Sequence, residues 1–416
     1  MTQVTIPSGR KLRIAAFLAV MGPGVIAGLS DDDPAGITTY SQLGAKFGYR
    51  LLWVLVVSTF ALIVFQDLGA RIGVVTRQGL IGLVRQKYGA RAGSFSAVAL
   101  ILANLGTMTA EFAGVAAAGQ LFGISRYITV PLTGLLISAL VLRGTFKKAE
   151  RVFFLLSAVF ISYIIAGFMS HPKWGSALHG MIVPSMPFNR DAINLATATL
   201  GTTLAPWGLA FIQSYAVDKR LTRADLKLLR ADVWVGSALT GIIGFFVIVT
   251  CAATLNRQHI TNITDAAQAA RALQPLAGTL AKDIFAIGII GAALLAASIL
   301  PLSTAYSVSD LTGSPAALDD KFEEAPLFYL TFAAITVVAG GLIMIPGVSL
   351  IWILISSQIL NAILLLPLLI YMFGISRDKK LMGEFAAGKR ALSLYGTIIA
   401  IVAVCVAAQF WFIFNL

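Results

Sequence analysis

The chain has 416 residues, 58% of them hydrophobic and 12% charged, with a formal net charge of +12. Soluble domains carry about 25% charged residues, and a water-exposed surface has no room for this much apolar side chain, so a soluble enzyme or binding module is excluded. Nucleic acid is not an expected partner, because the excess of Lys and Arg has a topological explanation given below.

Apolar runs of about 20 residues recur from end to end, each able to cross roughly 30 Å of hydrocarbon. A membrane β-barrel needs short alternating strands instead, so the runs read as helices. The predicted spans lie near 12–47, 50–73, 92–121, 126–145, 152–170, 190–217, 232–256, 279–308, 325–345, 348–374 and 392–414. No soluble domain fits between them, and residues 1–416 form a single all-α transmembrane domain of about eleven helices.

The first run continues into Asp31-Asp32-Asp33-Pro34 with no small-residue cleavage site, so it is expected to stay in the membrane. Its apolar part, from about Leu12 to Leu29, meets Ser30 and the three aspartates, then Pro34-Ala35-Gly36, and resumes at Ile37. Insertion scales charge roughly 2.5–3.5 kcal/mol for each Asp at a helix centre. Pro34 lacks an N–H and clashes with the preceding turn, and Gly36 disfavours helix by about 1 kcal/mol. The helix is expected to unwind here, and unwound backbone survives within a bilayer only where it lines a polar cavity. Asp33-Pro34 also reads as an N-cap followed by proline at the first helical position, so Asp33 has a purely structural alternative.

The second span carries Asp67, expected to pair with Arg71 one turn on. The third carries Glu111, which faces either a polar path or a structural hydrogen bond to Thr107 or another helix. The sixth repeats the interruption of the first: Gly201-Thr202-Thr203-Leu204-Ala205-Pro206-Trp207-Gly208 between apolar flanks. Trp207 reads either as a gate or as packing against the first helix. Gln358 and Asn361 share one face of the tenth span. Cys251 and Cys405, both in apolar spans, read as small packing residues.

Breaks in spans one and six, five spans apart, imply two inverted repeats, about 12–170 and 190–374, followed by an extra helix at about 392–414. Paired interruptions of this kind point to a substrate site near the membrane midplane. Tyr40, Thr39 and Gln42 are expected to continue its lining. Roughly three quarters of the 31 Lys and Arg lie on alternate loops, in groups such as Arg10, Lys11 and Arg13, Arg143 to Arg151, Lys219 to Arg230 and Lys321. The positive-inside rule then places the N-terminus in the cytoplasm and the C-terminus outside, in the cell inner (plasma) membrane.

The same residues resemble the NRAMP family of divalent-metal transporters. Gly22-Pro23-Gly24-Val25-Ile26-Ala27-Gly28 followed by Asp33-Pro34-Ala35-Gly36 is similar to that family's first-helix signature, GP-x-x-x-A then DPGN. Gln42, Gly44, Ala45, Tyr49, Leu51, Leu52 and Trp53 continue it, as do Ala110-Glu111-Phe112-x-Gly114, the sixth-span break, Ser357-Gln358 and Met382-Gly383-Glu384. The resemblance implies a LeuT-like 5+5 inverted-repeat fold with broken helices 1 and 6, and transport by alternating access. Carried over, Asp33 is the metal carboxylate, and the Thr202 carbonyl and the Gln358 amide oxygen are further ligands; beyond the resembled set, this chain's Asp31 and Asp32 add two carboxylates beside Asp33.

Three departures shape the expected cargo. The family's first-helix Asn falls at Gly36, its sixth-helix Met at Ala205 and its sixth-helix His at Trp207. Without a thioether, an all-oxygen site favours hard ions such as Mg²⁺, Ca²⁺ or Mn²⁺. The small residues at 36 and 205 are expected to leave room for a partly hydrated ion, a pattern similar to the NRAMP-related magnesium transporters. Gly36, Ala205, Pro206, Trp207 and Thr203 then line the cavity or its gate. Glu111 marks a possible proton or polar path, with weak or absent proton coupling. The alternative is an importer of a small organic solute, a carboxylate or lactam, on the same fold. No catalysis and no cofactor are expected, only the transported cation, and the protein is expected to work as a monomer in the lipid bilayer.

Overall fold

A computed structural model describes residues 28, 30–142, 159, 161–314 and 322–414. Among these, all regular structure is helical. The membrane helices are α1 (Pro34–Phe47), α2 (Leu52–Thr76), α4 (Ala90–Leu121) and α5 (Arg126–Leu142), with the short amphipathic α3 (Leu80–Tyr88) between α2 and α4. They continue with α6 (Ile161–Met169), the surface helix α7 (Trp174–Ile182), then α8 (Arg190–Thr203) and α9 (Pro206–Asp218), two halves of one interrupted span. After α10 (Leu226–Thr254) and a loop holding the small α11 (Ala266–Ala270) come α12 (Ala281–Thr312), α13 (Pro326–Met344), α14 (Leu350–Ser376) and α15 (Lys389–Phe414). Eight of the described helical stretches are long and apolar enough to cross a bilayer.

The predicted spans meet these helices to within a few residues. Residues 12–27 and 29 of span one, 143–145 of span four and most of 152–160 in span five lie outside the described residues, as do Arg10, Lys11, Arg13, Arg143, Lys147, Lys148, Arg151 and Lys321.

Chain direction puts the ends of α2, α9, α12 and α14 and the starts of α4, α10, α13 and α15 on one face. That face carries Arg77, Arg85, Lys87, Arg91, Lys219, Arg220, Arg223, Lys227, Arg230, Arg377, Lys379, Lys380, Lys389 and Arg390. Large apolar side chains such as Leu135, Val337, Trp352 and Phe414 point outward, consistent with lipid as the surrounding solvent.

Small residues set the closest crossings. A Cβ on Gly114 of α4 would collide with the ring of Pro34, so glycine there lets α4 lie directly on the start of α1. A Cβ on Gly201 would collide with the backbone of Gln358, which brings α14 against the end of α8. Gly28, before the break, lies against the backbone of Gly236 on α10, and Thr240 donates to its carbonyl at 2.5 Å.

One expected pair is corrected. Asp67 bonds Arg230 at 2.5 Å rather than Arg71. Arg71 reaches instead to the Tyr395 hydroxyl at 2.6 Å. The helix-neighbour spacing allowed the first pairing, but α10 and α15 each supply a partner across the fold. Asp67 is only 8% exposed, which favours the partner that shields it.

Candidate cation site at the paired helix breaks

The first break is narrow. Ser30 and Asp31 are helical, Asp32 and Asp33 bend, and α1 restarts at Pro34. Proline has no N–H, so the carbonyl of Ser30, four residues earlier, is denied its helical donor. Asp33 is extended (ψ 172°), and its Oδ1 accepts from Gly36 N at 2.6 Å. The structural reading of Asp33 as an N-cap therefore holds, and it engages one carboxylate oxygen. The Asp33 carbonyl also accepts from Ile37 N at 2.9 Å.

The second break is narrower still. Gly201, Thr202 and Thr203 remain helical as the last turn of α8, Leu204 and Ala205 interrupt, and α9 starts at Pro206. The expected break thus contracts to two residues, but the logic is unchanged. Pro206 stands four residues after Thr202, so the Thr202 carbonyl has no helical N–H to accept from. The Tyr40 hydroxyl and Thr203 Oγ1 share a hydrogen bond of 2.9 Å, which joins the two half-helices.

The acidic groups are deeply buried: Asp31 1%, Asp32 1%, Asp33 3% and Glu111 0% exposed. Neither oxygen of Asp31, Asp32 or Glu111 has a hydrogen-bond partner. Such oxygens are costly in a low-dielectric interior unless a cation or proton neutralises them. The three aspartates do not share one set of neighbours. Asp33 Oδ1 turns to Gly36 N, and its carboxyl lies in electrostatic reach of Glu111; Asp31 Oδ1 lies beside Gly208 of α9; Tyr40 is within reach of all three. Accordingly, the described residues contain no group of three His, Cys, Asp or Glu side chains placed to hold one metal ion. An ion here has to draw on neutral oxygens as well.

Such oxygens are present. Thr202 Oγ1 is buried without a partner, 3.1 Å from where a Cβ on Gly36 would stand. Gln358 Oε1 accepts from Asn361 Nδ2 at 2.9 Å, and Asn361 Nδ2 also donates to Thr107 Oγ1 at 2.8 Å. Gln358 Nε2 donates to Ser357 Oγ at 3.1 Å. This chain of amides orients the Gln358 oxygen and leaves it a second lone pair. Thr107 donates to the Ala103 carbonyl rather than to Glu111, so Glu111's expected structural bond to Thr107 is not made.

Two expectations about the cavity change. The space vacated at Gly36 is filled: a Cβ there would meet the Asp31 carbonyl at 2.7 Å and Asp33 Oδ1 at 3.3 Å. Glycine at 36 therefore lets backbone and carboxylate crowd together and does not open a void. Gln42 leaves the lining. Its Nε2 donates to Asn262 Oδ1 and its Oε1 accepts from Ile263 N, both at 2.8 Å, clasping the loop after α10. Trp207 is 1% exposed and packs in one apolar cluster with Ala35, Phe112 and Ala205, so the packing reading describes its surroundings.

On the face where α4 ends and α14 begins, a cavity of about 340 Å³ is lined by Gln120, Ser125, Arg126, Asp265 and Ser349 among others. Ala117, Ala266 and Ile351 line it and also border a narrow gap beside Pro34 and Gly114, lined further by Phe285, Ile289 and Leu354. The vestibule therefore ends in an apolar constriction just above the break. Sequence reasoning missed Gln66, which is 0% exposed with its Nε2 beside Gly208 at the start of α9. A lone amide in the apolar run of α2 was the signal that could have found it.

The sequence pattern of one family, described as natural resistance-associated macrophage protein-like, matches residues 24–414. Among solved structures, the manganese transporter of Eremococcus coleocola in complex with an aromatic bis-isothiourea compound superposes with a TM-score of 0.77 at 17% identity, covering 99% of this chain and 91% of that one. Mhp1, a nucleobase-cation-symport-1 family transporter with bromovinylhydantoin bound, gives 0.56 at 13% identity over 94% of this chain and 89% of its own. A Na⁺-coupled sialic acid symporter gives 0.51 at 13% identity, over 96% and 97%. At these identities the likenesses show the fold, and that fold is the LeuT-like one.

Proposed function

This chain belongs to the Nramp family, and from that premise we propose that it is a secondary transporter of a hard divalent cation, Mg²⁺ or Mn²⁺-like, working by alternating access. Members of this family are membrane transporters and not enzymes. The observation that carries the reading of the cargo is the donor set at the breaks. Asp33 keeps an oxygen beyond its capping bond, Pro206 leaves the Thr202 carbonyl without a helical donor, and Gln358 is held by Asn361. With Asp31 and Asp32 nearby, these are all oxygen ligands, which suit hard cations. Ala205 stands at the start of α9, where the resembled family has a thioether, so the preference for softer ions is lost there.

Proton coupling is weak or absent in this reading. Glu111 lies in electrostatic reach of Asp33, but Trp207 in its apolar cluster replaces the titratable side chain of the resembled sixth helix. The basic face supports a cytoplasmic N-terminus and an external C-terminus in the cell membrane. The vestibule then opens outside, and the cation site is complete within one chain, which supports a monomer. An organic solute is disfavoured because four buried carboxyl groups surround the breaks without a basic partner among their described hydrogen bonds and ion pairs.

Uptake into liposomes tests the proposal. Purified protein should carry Mg²⁺ or Mn²⁺ and the Asp33→Ala variant should not, with internal pH nearly constant during uptake. Uptake of a labelled small acid without metal would reverse the assignment. Stoichiometric acidification would refute the weak coupling.

A further inference from the structure

Asp31 and Asp33 sit on opposite sides of the first break. Asp33 turns to Gly36 and Glu111. Asp31 turns the other way: its Oδ1 is 3.8 Å from where a Cβ on Gly208 would stand, and Gln66 Nε2 is 3.6 Å from the same point. Gly208 has no side chain to fill that gap. Asp31 is 1% and Gln66 0% exposed, and both Asp31 oxygens and the Gln66 amide nitrogen lack hydrogen-bond partners. Gln66 Oε1 faces Ser237 Oγ at 3.4 Å, and Ser237 is itself 0% exposed.

A half-turn of the Gln66 amide exchanges its two ends. The Ser237 hydroxyl accepts as readily as it donates, so it keeps a partner. The amide oxygen then joins the Asp31 carboxylate on the same small gap. A carboxylate and an amide oxygen are donors for a hard cation. Without a cation, the buried carboxylate faces the gap uncompensated.

From this juxtaposition we propose a second binding station for the transported cation, formed by Asp31 and Gln66 with the α9 backbone at Gly208. It rests on the cation reading of the preceding subsection. The station lies on the side toward which α2 and α9 run, the basic face. In the proposed orientation that is the cytoplasmic side, so it receives the ion that leaves Asp33. Two residues of chain keep the Cα atoms of Asp31 and Asp33 within about 7 Å of each other, so the stations are neighbours. Divalent ions at neighbouring stations repel, so occupancy of one weakens the other, and an ion held at the second station is pushed onward when Asp33 fills again.

The test is stoichiometric. Purified protein in lipid nanodiscs is titrated with Mn²⁺, read by calorimetry and by the spectrum of free Mn²⁺, and in parallel with Mg²⁺. The wild type should bind two ions, the second at least tenfold more weakly. Asp31→Asn and Gln66→Leu should each retain one tight ion that Asp33→Asn abolishes, while both slow uptake into liposomes. Asp33→Asn alone should retain one ion that Asp31→Asn removes. A monodisperse elution profile and an unchanged melting temperature would show that the isosteric Asp31→Asn variant is folded. The second station is overturned if the wild type binds one ion that depends on Asp33 alone, since Gln66 would then merely hydrogen-bond Asp31. It is equally overturned if Asp31→Asn removes the sole ion, which would make the two aspartates one site. Absence of any Mn²⁺ or Mg²⁺ binding by the wild type would sink the cation reading as well, an outcome distinct from both.

Discussion

The two breaks are built on one backbone device and differ in everything added to it. In each, a proline stands four residues after a residue whose carbonyl it deprives of a helical donor: Pro34 after Ser30, Pro206 after Thr202. The first then concentrates charge, with Asp31, Asp32 and Asp33 all buried. The second carries none, and offers a backbone carbonyl and the hydroxyls of Thr202 and Thr203. Interruption and charge are therefore separable: proline makes the opening, and only one side of the site supplies the carboxylates. A cation held between them would take its charge compensation from α1 and the residues before it, and its shape from α8 and α9.

The largest expected effect comes from removing charge while keeping the break. Asp33→Asn should lower divalent-cation uptake into liposomes by tenfold or more. Uptake within twofold of wild type would show that the charged break is not where the cargo binds. Restoring the backbone without touching charge comes next. Pro206→Ala gives the Thr202 carbonyl an N–H four residues on, so the α8–α9 interruption should tighten into helix. Uptake should fall several-fold while thermal stability holds or rises, by up to about 3 kcal/mol. A loss of stability with unchanged uptake would mean the second break is only a kink. A smaller effect is expected from chemistry at the uncharged break: Ala205→Met should shift competition in favour of Cd²⁺ over Mg²⁺ by a few-fold, since thioether sulfur prefers softer ions. An unchanged ratio would show that position 205 does not face the ion.

The smallest effect lies away from both breaks and serves as a control. The Lys87 ammonium bonds Asp378 and holds its carboxyl below the usual range. A depressed carboxylate adds stability above its unfolded pKa and loses it as pH falls through the folded value. The melting temperatures of wild type and Asp378→Asn should therefore differ slightly at neutral pH and converge below about pH 4. Transport should be unaffected. A large transport defect would mean that this basic-face contact participates in gating.

Both interruptions were legible in the sequence because their causes are local. Proline and glycine act on the turn that contains them, and an aspartate in an apolar run is conspicuous. Asp33 and Glu111 were legible as buried acids for the same reason. The pairing of Asp67 with Arg230, the clasp of Gln42 on Asn262 and Ile263, and the placement of Gln66 and Asp31 beside Gly208 were not. Each joins residues far apart in the chain, and the i, i+4 rule that suggested Arg71 has no knowledge of α10.

The sequence alone determined the solvent, the helices, the places where two of them stop, and the alternate loops that carry the basic residues. These follow from residue-by-residue transfer energies and from the missing N–H of proline. Tertiary structure alone decided where each aspartate points. Three adjacent carboxylates at a bend diverge, and which neighbour each meets depends on how closely α4, α9 and α2 approach. That distance is set by glycines such as Gly114 against Pro34 and Gly73 against Gln213, whose lack of a side chain has meaning only opposite a partner.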